Sequence, residues 1–262
     1  MNRIDRALKE LREQNKKALI TFITAGDGGL STTEALVYEM QRRGADLIEL
    51  GVPFSDPIAE GPVIQDANVR SLARGTKLVD IFETVRKIRQ NSQVPLLLML
   101  YCNSIFGFGT ERFFSLCGEC GVDGVIVPDL PFEEREEILP AAERYGVHSI
   151  SLVTPASNER IEKIAQSAKG FLYCVSSTGV TGVRKEYTTD FDEFFSAVKR
   201  SAKIPCAVGF GISGPEAAHR MKGYCDGVIV GSAIVKLVGE RGEQSVGPVG
   251  EFIQSLRQAL DE

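Results

Sequence analysis

Short apolar runs alternate with amphipathic segments along the whole chain. Each run is apolar at nearly every position, which is typical of strands buried on both faces of a parallel sheet. Polar or turn-forming residues, often Gly or Pro, follow most runs and lead into segments with helical periodicity. The pattern predicts eight strands, at residues 18–24, 47–52, 95–101, 124–127, 147–153, 171–175, 204–208 and 227–230.

Helical segments fill the intervals between these runs. They are predicted at residues 2–14, from a cap at Ser31 or Thr32 to 43, and then at 63–72, 78–89, 110–119, 133–145, 158–168, 191–201, 213–222, a short helix from Gly231, and 249–259. Strict alternation of this kind produces either a doubly wound sheet or a closed eightfold barrel. Eight strand–helix units in 262 residues, without a linker or a change of composition, favour the barrel. We expect an α/β protein with one domain, residues 1–262, folded as a (β/α)8 TIM barrel with extra helices at the N-terminus and after strands 2 and 8.

Composition and charge narrow the classes of function. Hydrophobic residues make up 43% of the chain and charged residues 25%, as in ordinary globular proteins. The formal net charge of −5 gives no reason to expect a nucleic-acid partner. No apolar run reaches the roughly 18 residues of a membrane span, and the charged N-terminal helix lacks the apolar centre of a signal peptide. We expect a cytoplasmic protein without membrane contact.

Two carboxylates mark the second strand and the loop after it. Glu49 interrupts the apolar run 47–52, where a buried acid is costly unless it is paired or its pKa rises. Glu60 lies in the Pro- and Gly-rich loop that follows. Both side chains can face one pocket and act as acid and base. The alternative, with Glu49 in a salt bridge and Glu60 in solvent, stays open on spacing alone.

Three glycine-containing loops follow later strands and suggest an anion site. They are the long loop 176–189, the segment 209–214 and the pair Gly231–Ser232. In barrels of this kind, phosphate often binds at a helix N-terminus after strands 7 and 8. The segment 209–214 also matches the dinucleotide pattern G-x-G-x-x-G, but that pattern belongs to the first strand–helix unit of a dinucleotide-binding fold and not to the seventh.

Other chemistries lack the residues that they need. The chain has two histidines, at 148 and 219, and its single CxxC, Cys117–Cys120, has no second pair of zinc ligands. No lysine lies inside a predicted strand to form a Schiff base. We therefore predict an acid–base reaction on a phosphorylated substrate, without a metal. Residues near strand ends that can line an apolar pocket for a flat ring are Phe22, Leu100, Tyr101, Val127, Tyr173 and Phe210.

The segment Leu47–Pro57, with Gly61–Gln65, resembles the signature of the tryptophan synthase α subunit family. Matching segments follow in order at 21–27, 179–182, 209–213 and 231–235, so the resemblance covers essentially the whole chain. It implies retro-aldol cleavage of indole-3-glycerol phosphate to indole and glyceraldehyde 3-phosphate, as part of L-tryptophan biosynthesis. It also implies an α2β2 complex in which a pyridoxal-phosphate β subunit receives the indole through a tunnel, whereas this chain itself carries no cofactor.

The resemblance also assigns roles to residues. Glu49 is implied as the general acid and base, and Glu60 as the group that holds the indole N–H. Residues 55–57 and the lid around Thr181 are implied near the β subunit. The implied phosphate ligands are Gly182, Gly211, Gly231 and Ser232, and the implied indole-contacting residues are Phe22, Leu100, Tyr173 and Phe210.

Two positions depart from the family pattern. Glu60 stands where Asp is usual, which lengthens the side chain by one methylene, and Ser177 stands where some members carry Arg. Two alternatives therefore remain beside the α-subunit interpretation. One is a lyase that works without a partner and releases free indole. The other is a weakly catalytic subunit that mainly activates its partner.

Overall fold

In the part of the chain that the structure describes, nine parallel strands form one sheet that closes into a barrel. The computed structural model describes residues 1–157, 160–175, 191–209 and 211–262. The strands are β1 (Ala18–Thr24), β2 (Leu47–Gly51), β3 (Leu96–Met99), β4 (Gly124–Ile126), β5 (His148–Ser149), β6 (Ser151–Val153), β7 (Leu172–Val175), β8 (Cys206–Gly209) and β9 (Gly227–Val230). Their order is β5-β4-β3-β2-β1-β9-β8-β7-β6, and every neighbouring pair is parallel.

The two ends of this sheet are consecutive pieces of one strand. β5 pairs with β4, β6 pairs with β7, and only Ile150 separates them. Ile150 donates its backbone N–H to the carbonyl of Val125, 2.9 Å away. The predicted fifth strand is therefore present but changes partner at its middle residue, and this change closes the barrel. The predicted (β/α)8 TIM barrel is confirmed.

Helices cover the outside of the barrel and its N-terminal end. They are α1 (Arg3–Glu13), α2 (Leu30–Arg42), α3 (Pro62–Ala73), α4 (Leu78–Arg89), α5 (Cys102–Phe108), α6 (Thr110–Cys120), α7 (Leu139–Arg144), α8 (Arg160–Ser167), α9 (Phe191–Ser201), α10 (Pro215–Met221), α11 (Ser232–Arg241) and α12 (Val246–Asp261). The expected extra helices at the N-terminus and after strands 2 and 8 are α1, α3 and α12. None of the helices in the described part of the chain is long and apolar enough to cross a bilayer.

Two of the predicted helices differ from the structure in where they begin. The expected side-chain cap at Ser31 or Thr32 is wrong: Gly29, with φ +107°, precedes α2 and no side chain caps it. The predicted helix 133–145 is divided into a 3-10 turn, Phe132–Glu137, and α7. Pro140 lies in the first turn of α7, where the missing N–H costs nothing, so a new helix begins there.

Alternation along each strand separates two apolar layers. Leu47, Leu97, Phe171 and Ile229 point into the barrel, where they pack with Ile4 of α1. The residues next to them in sequence pack outward in the larger cluster beneath the helices, for example Ile48, Leu98 and Leu172. Because side chains alternate with a period of two, Glu49 faces the interior, in phase with Leu47.

Three aspartates hold the N-terminal ends of strands. Asp46, Asp123 and Asp226 each precede a strand, and each accepts a hydrogen bond from a backbone N–H at the start of the preceding strand, at 2.8–2.9 Å. Asp123 also pairs with Arg89 at 2.7 Å and with Arg3 at 2.9 Å. This end of the barrel is thus held by polar contacts, of which those of Asp123 are buried, which leaves the opposite end to carry chemistry.

Candidate active site

Glu49 is a fully buried acid in the middle of β2. Its exposed fraction is 0%, and neither carboxyl oxygen has a hydrogen-bond partner among the described residues. Burial raises its pKa to about 8. The side chain is therefore a neutral acid at pH 7 that is ready to give up a proton. Since the described residues place no cation against it, the salt-bridge alternative for Glu49 does not hold in this part of the chain.

Phe22 lies beside Glu49 and forms one wall of the space around it. The two residues are register partners on β1 and β2. A Cβ atom built on Gly51 would lie 2.5 Å from the Phe22 ring, so only glycine leaves room for the ring there. A Cβ atom on Gly231 would lie 3.4 Å from Phe22, which places the start of α11 against the same side chain.

Tyr173 forms a second wall, from β7. It is 6% exposed, and its pKa is raised well above 10, first by burial and then by the charge of Glu49. Tyr173 and Glu49 therefore share one interior space. The Tyr173 ring lies over Gly209, where a Cβ atom would come within 2.6 Å of the ring and of the hydroxyl. Gly209 thus sets the position of the ring, a role that was not predicted from the sequence.

Glu60 is held by two side chains from different elements. Asn68 of α3 donates to its Oε2 atom, and the Tyr101 hydroxyl also bonds to the carboxylate. Burial raises the pKa of Glu60 to about 7, although these two hydrogen bonds oppose the rise. With 8% exposure Glu60 is not the solvated acid of the alternative interpretation. Phe54 stacks on the Tyr101 ring, with the two ring centroids 5.0 Å apart, and this contact helps to fix the Tyr101 ring.

Leu100 and Met99 are neighbours in sequence, and their side chains pack in different apolar clusters. Leu100 is buried in the outer cluster beneath the helices and does not join the interior residues. Met99 packs with Phe22 and also with the interior cluster. The structure therefore places Met99 beside Phe22, and it places the predicted Leu100 in the outer cluster. The alternation along β3 carries this signal, because Met99 is in phase with the inward-facing Leu97.

The start of α11 provides the features of an anion site. Gly231 precedes the helix and Ser232 is its first residue. The first N–H groups of a helix have no acceptor inside it, and they carry the positive end of the dipole. Gly211 has φ +76°, a conformation that favours glycine, and it follows β8, the strand next to β9. Both predicted loops therefore leave neighbouring strands at the same end of the barrel.

Three predicted residues, Thr181, Gly182 and Phe210, lie outside the described residues. The described part of the chain contains no group of three or more His, Cys, Asp or Glu side chains arranged to hold a metal ion. Cys117 and Cys120 are free thiols in the outer core, and burial raises the pKa of both. Their thiolate forms are therefore disfavoured at neutral pH.

Taken by its geometry, the site offers a raised-pKa acid, a second carboxylate held by two donors, an aromatic wall and a helix N-terminus. These features suit a reaction in which one acid protonates a flat ring and a carboxylate balances the charge that develops. The helix end can hold a phosphate group while this occurs.

Comparison with known proteins identifies the relatives of this chain. The family model described as "Tryptophan synthase alpha chain" matches residues 8–260. The tryptophan synthase alpha chain of Caldanaerobacter subterraneus is 49% identical over 262 residues, which cover 99% of this chain and 100% of the relative. The tryptophan synthase alpha chain of Clostridium kluyveri is 48% identical over 263 residues, which cover 100% of this chain and 100% of the relative.

Solved structures give the same picture. Tryptophan synthase subunit alpha from Legionella pneumophila superimposes with a TM-score of 0.89 at 38% identity, covering 100% of this chain and 99% of that one. A chain of the tryptophan synthase a2b2 complex from Pyrococcus furiosus superimposes with a TM-score of 0.82 at 34% identity, covering 92% and 98%.

Proposed function

Since the chain belongs to the tryptophan synthase alpha chain family, we propose that Glu49 and Glu60 divide the acid–base work of its reaction between them. The reaction is the cleavage of indole-3-glycerol phosphate to indole and glyceraldehyde 3-phosphate. The chain is a lyase of L-tryptophan biosynthesis and carries no cofactor of its own. The observation that supports the proposal best is the buried carboxyl of Glu49, which lies beside Phe22 and Tyr173 and has no hydrogen-bond partner among the described residues.

Glu49 acts first as an acid. Its neutral carboxyl protonates the indole ring carbon that bears the glycerol chain, and a positive charge develops on the ring nitrogen. Glu60 is held by Asn68 and Tyr101. It accepts a hydrogen bond from the indole N–H and stabilises that charge. The Glu49 carboxylate then takes the proton of the neighbouring hydroxyl group. The carbon–carbon bond breaks, its electrons return to the ring, and the hydroxyl carbon becomes the aldehyde.

The remaining residues of the site bind the substrate. Phe22, Met99 and Tyr173 contact the indole, together with Phe210. The N-terminus of α11, at Gly231 and Ser232, binds the phosphate with Gly211. We also propose that Gly182 binds the phosphate and that Thr181 contacts the substrate. Tyr101 also contributes through its hydrogen bond to Glu60.

A β subunit that carries pyridoxal phosphate is the partner, in an α2β2 assembly. We propose that the segment 55–57 faces this partner. Ser55 and Asp56 are exposed, and the neighbouring Ile58 is 74% exposed, which is unusual for an aliphatic side chain. Because the segment joins β2 to Glu60, a partner docked on it can influence the second carboxylate. We also propose that residues 1–262 form one domain, because α1 and α12 both pack on the same barrel. We propose the cytoplasm as its location.

The deciding experiment is an assay of indole release from indole-3-glycerol phosphate by the purified chain, with and without a β subunit. We expect slow turnover alone and many-fold activation by the partner. The Glu49→Gln variant, which keeps size and fold, should be inactive in both conditions. Full activity of the chain alone would favour the lyase that needs no partner, and near wild-type turnover of Glu49→Gln would refute the proposed role of Glu49.

A further inference from the structure

Asp27 and Arg70 form an ion pair with two hydrogen bonds, between the loop after β1 and α3. Asp27 lies in the loop after β1 and is 2% exposed. Both carboxylate oxygens accept from the Arg70 guanidinium at 2.8 Å. Such paired hydrogen bonds fix direction as well as distance, which a single contact does not. No step of the proposed reaction uses either residue.

The same guanidinium also lies against α11. A Cβ atom built on Gly239 would come 2.7 Å from one terminal nitrogen of Arg70 and 3.0 Å from its central carbon. Arg70 is therefore held between Asp27 and the backbone of the helix whose first residues form the proposed phosphate site. Apolar contacts of Phe22, Ile64 and Val235 join the same three elements, β1, α3 and α11.

Arg70 belongs to the helix that positions Glu60. Asn68, two residues earlier on α3, donates to the Glu60 carboxylate. Ser71, the next residue, donates to the carbonyl of Ala25 at 2.6 Å. One short stretch of α3 thus contacts the second carboxylate, the end of β1 and the phosphate-site helix.

We infer that the Asp27–Arg70 ion pair is a positioning device that fixes Glu60 relative to the phosphate-binding end of α11. The inference rests on the proposed roles of these two groups. The substrate carries an indole ring at one end and a phosphate at the other, and both ends must be engaged together for the reacting atoms to align. A shift of α3 against α11 would leave each half of the pocket intact but would place the halves at the wrong separation.

The test compares the substrate with its two fragments, indole and glycerol 3-phosphate. Arg70→Lys keeps the charge but loses the two-point geometry. We expect kcat for indole release to fall about ten- to a hundredfold, whereas each fragment alone should bind with nearly wild-type affinity. Asp27→Asn should reproduce the effect, and the double variant should be no worse than either single one.

Arg86→Lys is the matched control, because Arg86 pairs with Glu83 on the exposed face of α4, away from the site. It should change neither kcat nor fragment binding. Unchanged kcat in Arg70→Lys, or a parallel loss of affinity for both fragments, would overturn the inference. If Arg70→Lys unfolds, Gly239→Ala serves instead, since its methyl group pushes the guanidinium away while both charges remain. A Glu60→Gln variant assayed in parallel tests the proposed site separately.

Discussion

Asn68 of α3 donates a hydrogen bond to the carboxylate of Glu60, so the helix that follows the loop after β2 fixes the second acid of the candidate site. Tyr101, which lies between β3 and α5, holds the same carboxylate. The longer side chain that replaces the usual Asp of the family is therefore not loose. This favours a catalytically competent chain over a subunit that only activates its partner.

Changes at Glu60 test this view. We expect Glu60→Gln to lower kcat about a hundredfold, because the charge that balances the protonated ring is lost. Glu60→Asp keeps the charge and should stay within about tenfold of the parent, since a donor such as Asn68 can follow the shorter side chain. Steady-state release of indole measures both. A large gain in rate for Glu60→Asp would instead support the weakly catalytic alternative.

The buried carboxyl of Glu49 predicts a dependence of stability on pH. Its pKa is about 8 in the native state, against 4.5 for an ordinary glutamate. A raised native pKa means that the folded state holds the proton more tightly. The stabilisation is fully present below about pH 4.5 and is lost as the pH rises to about 8.

Urea denaturation at several pH values checks this prediction with Glu49→Gln as the reference. Between pH 5 and 8 the free energy of unfolding of the parent should fall relative to that of the variant, and above pH 8 the difference should be constant. Other acids, including Glu60 and Asp46, titrate in both proteins and cancel. Parallel curves over this range would show that Glu49 is not a high-pKa acid.

A negative charge at Gly211 tests the phosphate site. Gly211→Asp places a carboxylate near the proposed phosphate, and Gly211→Asn imposes the same strain at φ +76° without the charge. We expect KM to be about tenfold higher for Asp than for Asn, from repulsion between like charges at short range. Kinetics at low ionic strength measure the difference, and high salt should reduce it. Equal KM values would place the phosphate elsewhere.

The polar contacts at the opposite end of the barrel predict effects on stability alone. Asp123→Ala leaves the nearly buried Arg89 without its carboxylate partner and should cost about 3–5 kcal/mol of unfolding free energy. Asp226→Ala removes a matching strand hydrogen bond without an ion pair between described residues, and should cost about 1–3 kcal/mol. Urea denaturation measures both. Similar costs would mean that the Arg89 ion pair adds little.

The sequence by itself determined the barrel and the principal acid. Continuous apolar runs separated by helices leave few arrangements, and an acid inside such a run must face a protein interior. The interior position of Glu49 and the bounds of β1 and α4 followed from these local rules. The resemblance of the segment around Glu49 to one family then supplied a reaction.

Only the tertiary structure decided which side chains meet. It placed Met99 by the pocket and Leu100 beneath the helices, because the face of a strand residue depends on where the barrel closes. It also joined Asn68 to Glu60 and Arg70 to Asp27, pairs whose members come from different elements. Such contacts arise from the packing of distant segments, and a periodic pattern carries no information about them.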